Sequence, residues 1–466
     1  MLFRRSTASV IVFALFAANA GVAVGESIRT ATLATQESSL LIKNGERIAF
    51  LGDSITAGGA GHGGYCRMVV HGLKSKGIQT TPIFAGIPGN TSADMLERLE
   101  SDVLKHKPDW VILAAGVNDV WHGDPTVKIG VFQPKPGMGV KLPEYRKNVT
   151  TIVDRCVKAG AKVILTTITP IREEPDFKLN LTARDYNAFL RQLATDRNLP
   201  LADLNRAMFT EIAKGARLTS DGVHPLESGH RVMAKGLLET IGYTGSEASE
   251  LEAKWKNAPH ILILGDRQTT SGARTGGWIQ LLLEGLNSGQ EMVTHQSHAQ
   301  YRKEVTIRSL LGGLDKKLEE SPQTIIFQAP KDDAVAGTSL EDYRKAIEEL
   351  KGASDRHQAR LVLTTIAPPE EDPSGELRSR LEPYNELIRK HAKENKIPLA
   401  DIARAMDEAY EKEANLRLMF DGHRFNRKGS ILIVEALLEA MDCGAVITPQ
   451  LRQIWNDTPA YFRRYQ

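Results

Sequence analysis

Transferring an acyl group to water takes a hydroxyl, an imidazole, a carboxylate and a few fixed N–H donors, and the first half of this chain holds all of them. Ser54, in Gly52-Asp53-Ser54, supplies the hydroxyl. A serine is a poor nucleophile at neutral pH unless a base takes its proton and a third group holds that base. Asp221-Gly-Val-His224-Pro225 offers both, because a separation of three lets carboxylate and ring project from one side of a turn and bond to each other. The tetrahedral intermediate carries an anionic oxygen, and each donor fixed in advance against it contributes roughly 3 to 4 kcal/mol. Candidate donors are the backbone N–H groups of Ser54 and Gly89 and the side-chain amide of Asn118. Glycine suits the task because nothing beyond Cα blocks a substrate. Each residue also has a plainer reading: Ser54 as a helix cap, Asp221 as the cap of a helix that includes 233–238, Gly89 and Gly116 as turn glycines. The set favours chemistry over any single member.

Convergence of these residues requires elements that end at one place. Short, β-branched, continuously apolar runs at 48–51, 80–85, 110–114 and 163–167 alternate with amphipathic stretches such as 91–104 and 144–158. Continuous apolar strands mean a sheet covered on both faces, hence an α/β arrangement of parallel strands with right-handed crossovers. Ligands of such sheets bind beyond the carboxyl ends of the strands. Gly52-Asp53-Ser54 and Gly116-Val-Asn118-Asp119 both follow strands directly and are therefore expected at the same sheet edge.

Gly52-Asp53-Ser54, Gly89 within Gly86-Ile-Pro-Gly-Asn-Thr-Ser92, Gly116-Val-Asn118-Asp119 and Asp221-Gly-Val-His224-Pro225 resemble, in order, the four motif blocks of the SGNH hydrolases, also called GDSL esterases or lipases. The resemblance runs from about Arg47 to Gly242. It implies a three-layer α/β/α flavodoxin-like domain, a nucleophilic Ser54, a base His224 oriented by Asp221, and an oxyanion hole from Ser54, Gly89 and Asn118. It further implies esterase, thioesterase, lysophospholipase or sugar-deacetylase activity without a cofactor. The motifs do not choose among these. The segment 130–140 follows the Asn118 strand, is expected to border the cleft, and has few large apolar residues, which favours short acyl esters, including acetylated carbohydrate.

Laying 259–466 under 45–245 brings up the same landmarks in the same order. His260-Ile-Leu-Ile-Leu-Gly-Asp266 falls under the Gly52-Asp53 strand, Ile397-Pro-Leu-Ala-Asp401 repeats Leu199-Pro-Leu-Ala-Asp203, and Phe420-Asp-Gly422 repeats Ser220-Asp-Gly222. The chemistry is missing from the second copy: Arg267 stands for Ser54, Pro330 for Gly116, Asp332 for Asn118 and Arg424 for His224, with His423 one place early. The expected organisation is a leader at 1–25, a catalytic domain at 45–245, a charged linker or helical strut at 246–258, and a degenerate copy at 259–466. The second copy would offer a cleft lined by Arg267, Asp332, Asp333, Asp421, His423 and Arg424, for a polyanion or sugar polymer, or would serve only as a packing partner.

The whole-chain properties fit this plan. At 466 residues two domains are the default, and the 41% hydrophobic and 25% charged fractions are those of an ordinary globular chain. A net charge of +2 argues against nucleic acid as a partner. Arg4 and Arg5, an apolar stretch at 8–17 and the small residues Ala18-Asn19-Ala20 read as an export signal, too short for a spanning helix. Cys66, Cys156 and Cys443 are odd in number and far apart, so they read as buried small hydrophobes, with a Cys66–Cys156 bridge as the lesser alternative. Two other function classes remain in view: a non-catalytic binding or scaffold protein, and a metallophosphoesterase using Asp53, Asn118, Asp119, Asp221 and His224 as ligands.

Overall fold

The computed structural model describes residues 40–457 apart from 62, 131, 273–276, 289–292, 300–303, 320, 370–374, 414 and 421–423; the expected leader at 1–25 lies outside the described residues. Five strands form the first sheet: β1 (Arg47–Gly52), β2 (Thr81–Gly86), β3 (Trp110–Ala114), β4 (Lys162–Thr166) and β5 (Leu201–Ala202). All pair in parallel, in the order β2-β1-β3-β4-β5. The order reverses between β1 and β3, which opens a crevice at their carboxyl ends. Ile48 through Leu51 are fully buried, the burial of a strand covered on both faces, whereas β2 at the edge is mostly half-exposed.

The second sheet repeats the plan. β6 (His260–Gly265), β7 (Thr294–Ala299), β8 (Thr324–Phe327), β9 (Arg360–Thr364) and β10 (Leu399–Ala400) lie in the order β10-β9-β8-β6-β7, which is the first order read from the opposite side. Successive side chains on a strand point to opposite faces. Leu262, Leu264, Ile325 and Phe327 accordingly join one apolar cluster, while Ile261, Ile263, Ile326 and Val362 join another. A sheet with a core on each face is the middle of three layers, so the expected α/β class with parallel sheets is what the chain adopts.

Two segments depart from the local pattern. The stretch 91–104 is not one helix: it forms Ser92–Glu97, breaks at Arg98, resumes as Leu99–Asp102 and ends in a 3-10 turn. The break occurs where the Arg98 side chain turns inward to carbonyls of the sheet. The charged segment at 246–258 forms the helix Gly245–Lys256, started by a Thr244–Glu247 capping box. Its Ala248, Leu251 and Trp255 are buried in the core around the first sheet, and the Trp255 indole N–H reaches His71 Nδ1 at 3.2 Å. It is the packed strut of the two alternatives. Arg67 pairs with Glu284 at 2.5 Å across the two halves. All three cysteines are free thiols, Cys66 and Cys156 buried. Among the described residues no helix is long and apolar enough to cross a membrane.

Candidate active site

β1 ends at Gly52, where an added Cβ would lie 2.0 Å from Thr56 Oγ1, so only glycine lets the following helix fold back over the strand. That helix, Ser54–Gly59, is capped by Asp53, whose Oδ1 accepts the Ile55 N–H at 2.9 Å. The capping role therefore belongs to Asp53 and leaves Ser54 in the first helical position, where its N–H has no intrahelical acceptor. Burial pushes the Asp53 carboxyl up to about 6, against the Ile55 N–H and the nearby His224.

Ser54 Oγ lies 2.9 Å from His224 Nε2, and His224 Nδ1 lies 2.8 Å from Asp221 Oδ2. The other carboxylate oxygen accepts the backbone N–H of His224 at 2.9 Å and of Val223 at 3.0 Å. Partial burial pushes the Asp221 carboxyl up, but the His224 and Val223 hydrogen bonds outweigh this and hold it below the usual carboxylate range. Asp221 caps its own turn and not the following helix Glu227–Ile241, whose N-cap is Leu226.

The segment carrying Asp221 and His224 is a small hairpin. Thr219 bridges Pro225, and the Ser220 N–H donates to His224 O at 2.9 Å. Glu173, just beyond β4, clamps its base: Oε1 accepts the Leu218 N–H at 2.8 Å, the Thr219 N–H at 2.6 Å and the Thr219 hydroxyl at 2.7 Å. The Arg172 N–H adds a bond to Gly222 O at 2.5 Å.

Gly89 has φ +81 with nothing within 4 Å of where a Cβ would stand, so backbone angle alone demands glycine there. Among the described residues its N–H has no acceptor, while its neighbours are pinned by Ile87 N–H to Gly52 O at 3.1 Å and Asn90 N–H to Ile87 O at 3.2 Å. Asn118 lies buried on the helix Val117–Trp121 and gives one amide hydrogen to Asn90 O at 3.0 Å, which leaves the second. Gly116 before it combines φ +130 with a Cβ position 2.4 Å from Ile168 Cδ1.

Asp119 holds the Gly89 loop from below. Its carboxylate accepts the Ser92 N–H at 3.0 Å and the Ser92 hydroxyl at 2.5 Å. Burial pushes it up to about 7, the Ser92 bonds notwithstanding. A carboxyl raised in the folded state binds its proton more tightly there than in the unfolded chain. Its contribution is therefore fully present below about pH 3.8 and lost as pH rises through about 7, on the order of 4 kcal/mol for a shift of this size. Urea unfolding at pH 5 and pH 8 should show wild-type stability falling with pH and a smaller fall in Asp119→Asn, the remainder belonging to other buried carboxyls such as Asp53; equal falls in both would refute the assignment.

Arg98, Asp119 with Ser92, and Glu173 are the contributors that sequence reasoning missed. The loop at 130–140 does approach the site: a Cβ at Gly130 would stand 3.7 Å from Asp221 Oδ2. Phe132 beyond it packs its ring against Trp121 and His122, with centroids 5.5 and 5.2 Å away, and stays 41% exposed.

Among the described residues the second half carries none of this constellation. Arg267 starts the helix that Ser54 starts in the first half, and Ser271 Oγ donates back to Arg267 O at 2.6 Å. Asp333 does not line a cleft: it is fully buried and accepts the Ile307 N–H at 2.7 Å and the Thr338 hydroxyl at 3.0 Å. Asp332 accepts the Val305 N–H at 2.8 Å. Asp421 and His423 lie outside the described residues. Among the described residues no group of three or more His, Cys, Asp or Glu side chains is arranged to hold a metal ion.

With this geometry in hand, similarity to known proteins is informative. Residues 50–232 match the family model for the GDSL-like lipase/acylhydrolase family. An acetylxylan esterase of Geobacillus stearothermophilus is 32% identical over 220 residues, covering 43% of this chain and 96% of that protein. A multidomain esterase of Ruminococcus flavefaciens is 26% identical over 266 residues, 48% of this chain and 32% of that one. Among solved structures, that of an acetylxylan esterase from Geobacillus stearothermophilus aligns with 30% identity, 44% of this chain, 98% of the other and a TM-score of 0.40. A relative at this identity matched over nearly its whole length shares the family, and the chain accordingly belongs to the GDSL-like lipase/acylhydrolase, or SGNH, family of carboxylic ester hydrolases.

Proposed function

We propose that this chain is an exported serine esterase that removes short acyl groups, acetyl above all, from carbohydrate. The observation that carries the reading is the unbroken hydrogen-bonded chain from Ser54 Oγ through the His224 ring to Asp221. Nδ1–H donates to Asp221, so Nε2 is free to take the Ser54 proton as Oγ attacks the ester carbonyl. The N–H groups of Ser54 and Gly89 and the remaining Asn118 hydrogen receive the anionic oxygen. As the intermediate collapses, His224 gives its proton to the departing sugar oxygen, and Ser54 is left acylated. Water then repeats the sequence with His224 as base, releasing the carboxylic acid and free serine. In this reading 45–245 is the catalytic unit, and 259–466 is a chemically silent counterpart that keeps the strand order and lacks the serine, the amide and the turn glycine.

Acetyl as the acyl group is supported by the named substrate of the Geobacillus relative and by the scarcity of large exposed apolar side chains on the bordering loop, where only Phe132 and Met138 stand out among the described residues. The apolar leader at 8–17 supports export. The test is a substrate series: p-nitrophenyl esters from two to twelve carbons, with acetylated xylan and lysophospholipid alongside. The expected outcome is acetate release from xylan and a kcat/KM that falls at least about tenfold between the acetyl and octanoyl esters, since a longer chain gains only where an apolar wall can receive it. Preference for the long esters, or for lysophospholipid, would replace this reading with a lipase.

A further inference from the structure

We infer that Arg98 is the positioning residue that keeps the oxyanion donors of this esterase in register with one another. The inference rests on the assignment of Ser54, Gly89 and Asn118 given above. One planar guanidinium bonds to the carbonyls at the ends of β1 and β2 and to the Asn90 side chain, and it reaches the Asn118 amide through Asn90. Nη2 donates to Gly52 O and to Ala85 O, each at 2.9 Å, and Nε donates to the Asn90 side-chain oxygen at 2.6 Å. Gly52 ends β1 two residues before Ser54. Asn90 follows Gly89, and its carbonyl is the acceptor that holds the Asn118 amide at 3.0 Å. The side chain is only 12% exposed, and Nη1 pairs with Asp102 at 3.2 Å, which fixes the plane of the fork. No other side chain has this shape: a lysine ammonium is a point charge without the fixed angles between donors that tie two strand ends and a loop together.

Folding alone does not explain the arginine. Thr91 and Thr306 each head a helix with a capping box, and the residue after each gives its N–H to a buried aspartate, Asp119 or Asp333. Seven residues on from Thr91 is Arg98; seven on from Thr306 is Gly313. The second sheet forms in the same strand order without the guanidinium. That half also lacks the side-chain amide donor, having Asp332 where the first has Asn118. The arginine and the amide donor are present together in the first half and absent together from the second, as expected of a residue that serves the oxyanion site.

The test uses the full chain with Arg98→Met and Arg98→Lys, p-nitrophenyl acetate as substrate, and active sites counted to the end point with diethyl p-nitrophenyl phosphate, which releases one nitrophenolate per competent serine. Counting separates a misplaced site from a smaller folded fraction. Expected is a kcat per counted site lower by roughly 10- to 100-fold in both variants, with KM within about twofold, because donors displaced by about an ångström fail the transition state and not the ground state. A trifluoromethyl ketone, which forms an anionic adduct on Ser54, should lose affinity by a similar factor. If kcat per site stays within about twofold of wild type, or the ketone binds both variants as tightly as before, the proposal is wrong. Should Arg98→Met not fold, Arg98→Lys decides by the same readouts. A wild-type chain that hydrolyses no acetyl ester would overturn the esterase reading itself, before any variant is compared.

Discussion

Replacing Ser54 with alanine lowers the hydrolysis of p-nitrophenyl acetate by roughly 10⁴-fold or more, to the level that donors and binding alone sustain. The loss is expected to be this complete because nothing in the site can stand in for the hydroxyl. His224 Nε2 has Ser54 Oγ as its partner at 2.9 Å, and the capping of the Ser54–Gly59 helix falls to Asp53. For the same reason the fold should not notice the change. Ser54 contributes no cap and no core volume, so the variant should melt within about a degree of wild type, as surface substitutions away from special features do. Steady-state rates together with a thermal melt check both halves of the statement. Activity within tenfold of wild type in a folded variant would remove Ser54 from the role of nucleophile.

Asp221→Asn should cost nearly as much, by a different route. The two carboxylate oxygens divide the work: Oδ1 accepts the backbone N–H groups that shape the turn, and Oδ2 faces the ring Nδ1. An amide keeps the first function through its oxygen and reverses the second, since its NH₂ donates to Nδ1. The proton is then forced onto Nε2, which now donates towards Ser54 and can no longer accept the hydroxyl hydrogen. A loss of about 10³- to 10⁴-fold in kcat per site at neutral pH is expected, with KM little altered and the hairpin intact. A variant within tenfold of wild type would show that the tautomer of His224 is fixed by something else.

The parts of the site that were legible in the sequence are those written in short local runs. Ile48 to Leu51 is apolar without interruption because both faces of β1 are covered, and the glycine that follows is demanded by a helix turning back over the strand. Asp221 and His224 are three residues apart on one turn, so their meeting needs no knowledge of the fold. Arg98 is different. Its partners are Gly52, Ala85 and Asn90, brought to it by parallel pairing of β1 with β2, and a lone arginine in an amphipathic stretch carries no local mark of that destination. Glu173 reaches a segment more than forty residues away for the same reason. The amphipathic stretch 91–104 reads as continuous because propensity is local, whereas the break at Arg98 falls where its side chain turns in to carbonyls of the sheet. The Gly245–Lys256 segment reads as either linker or helical strut because its charges outnumber its apolar residues, and Ala248, Leu251 and Trp255, recurring at helical spacing, form the single stripe that docks it as a strut.

The two interior thiols are kept from reaction by the fold itself. Burial pushes Cys156 up to about 12 and Cys66 well above the ordinary thiol range, so at neutral pH on the order of one Cys156 side chain in 10⁵ is ionised, and only the ionised form reacts. Half-exposed Cys443 has no such shelter. Thiol reagents therefore meet one cysteine on the native protein and gain the other two only when the first sheet opens, which gives the chain an internal clock whose ticks are its own unfolding events.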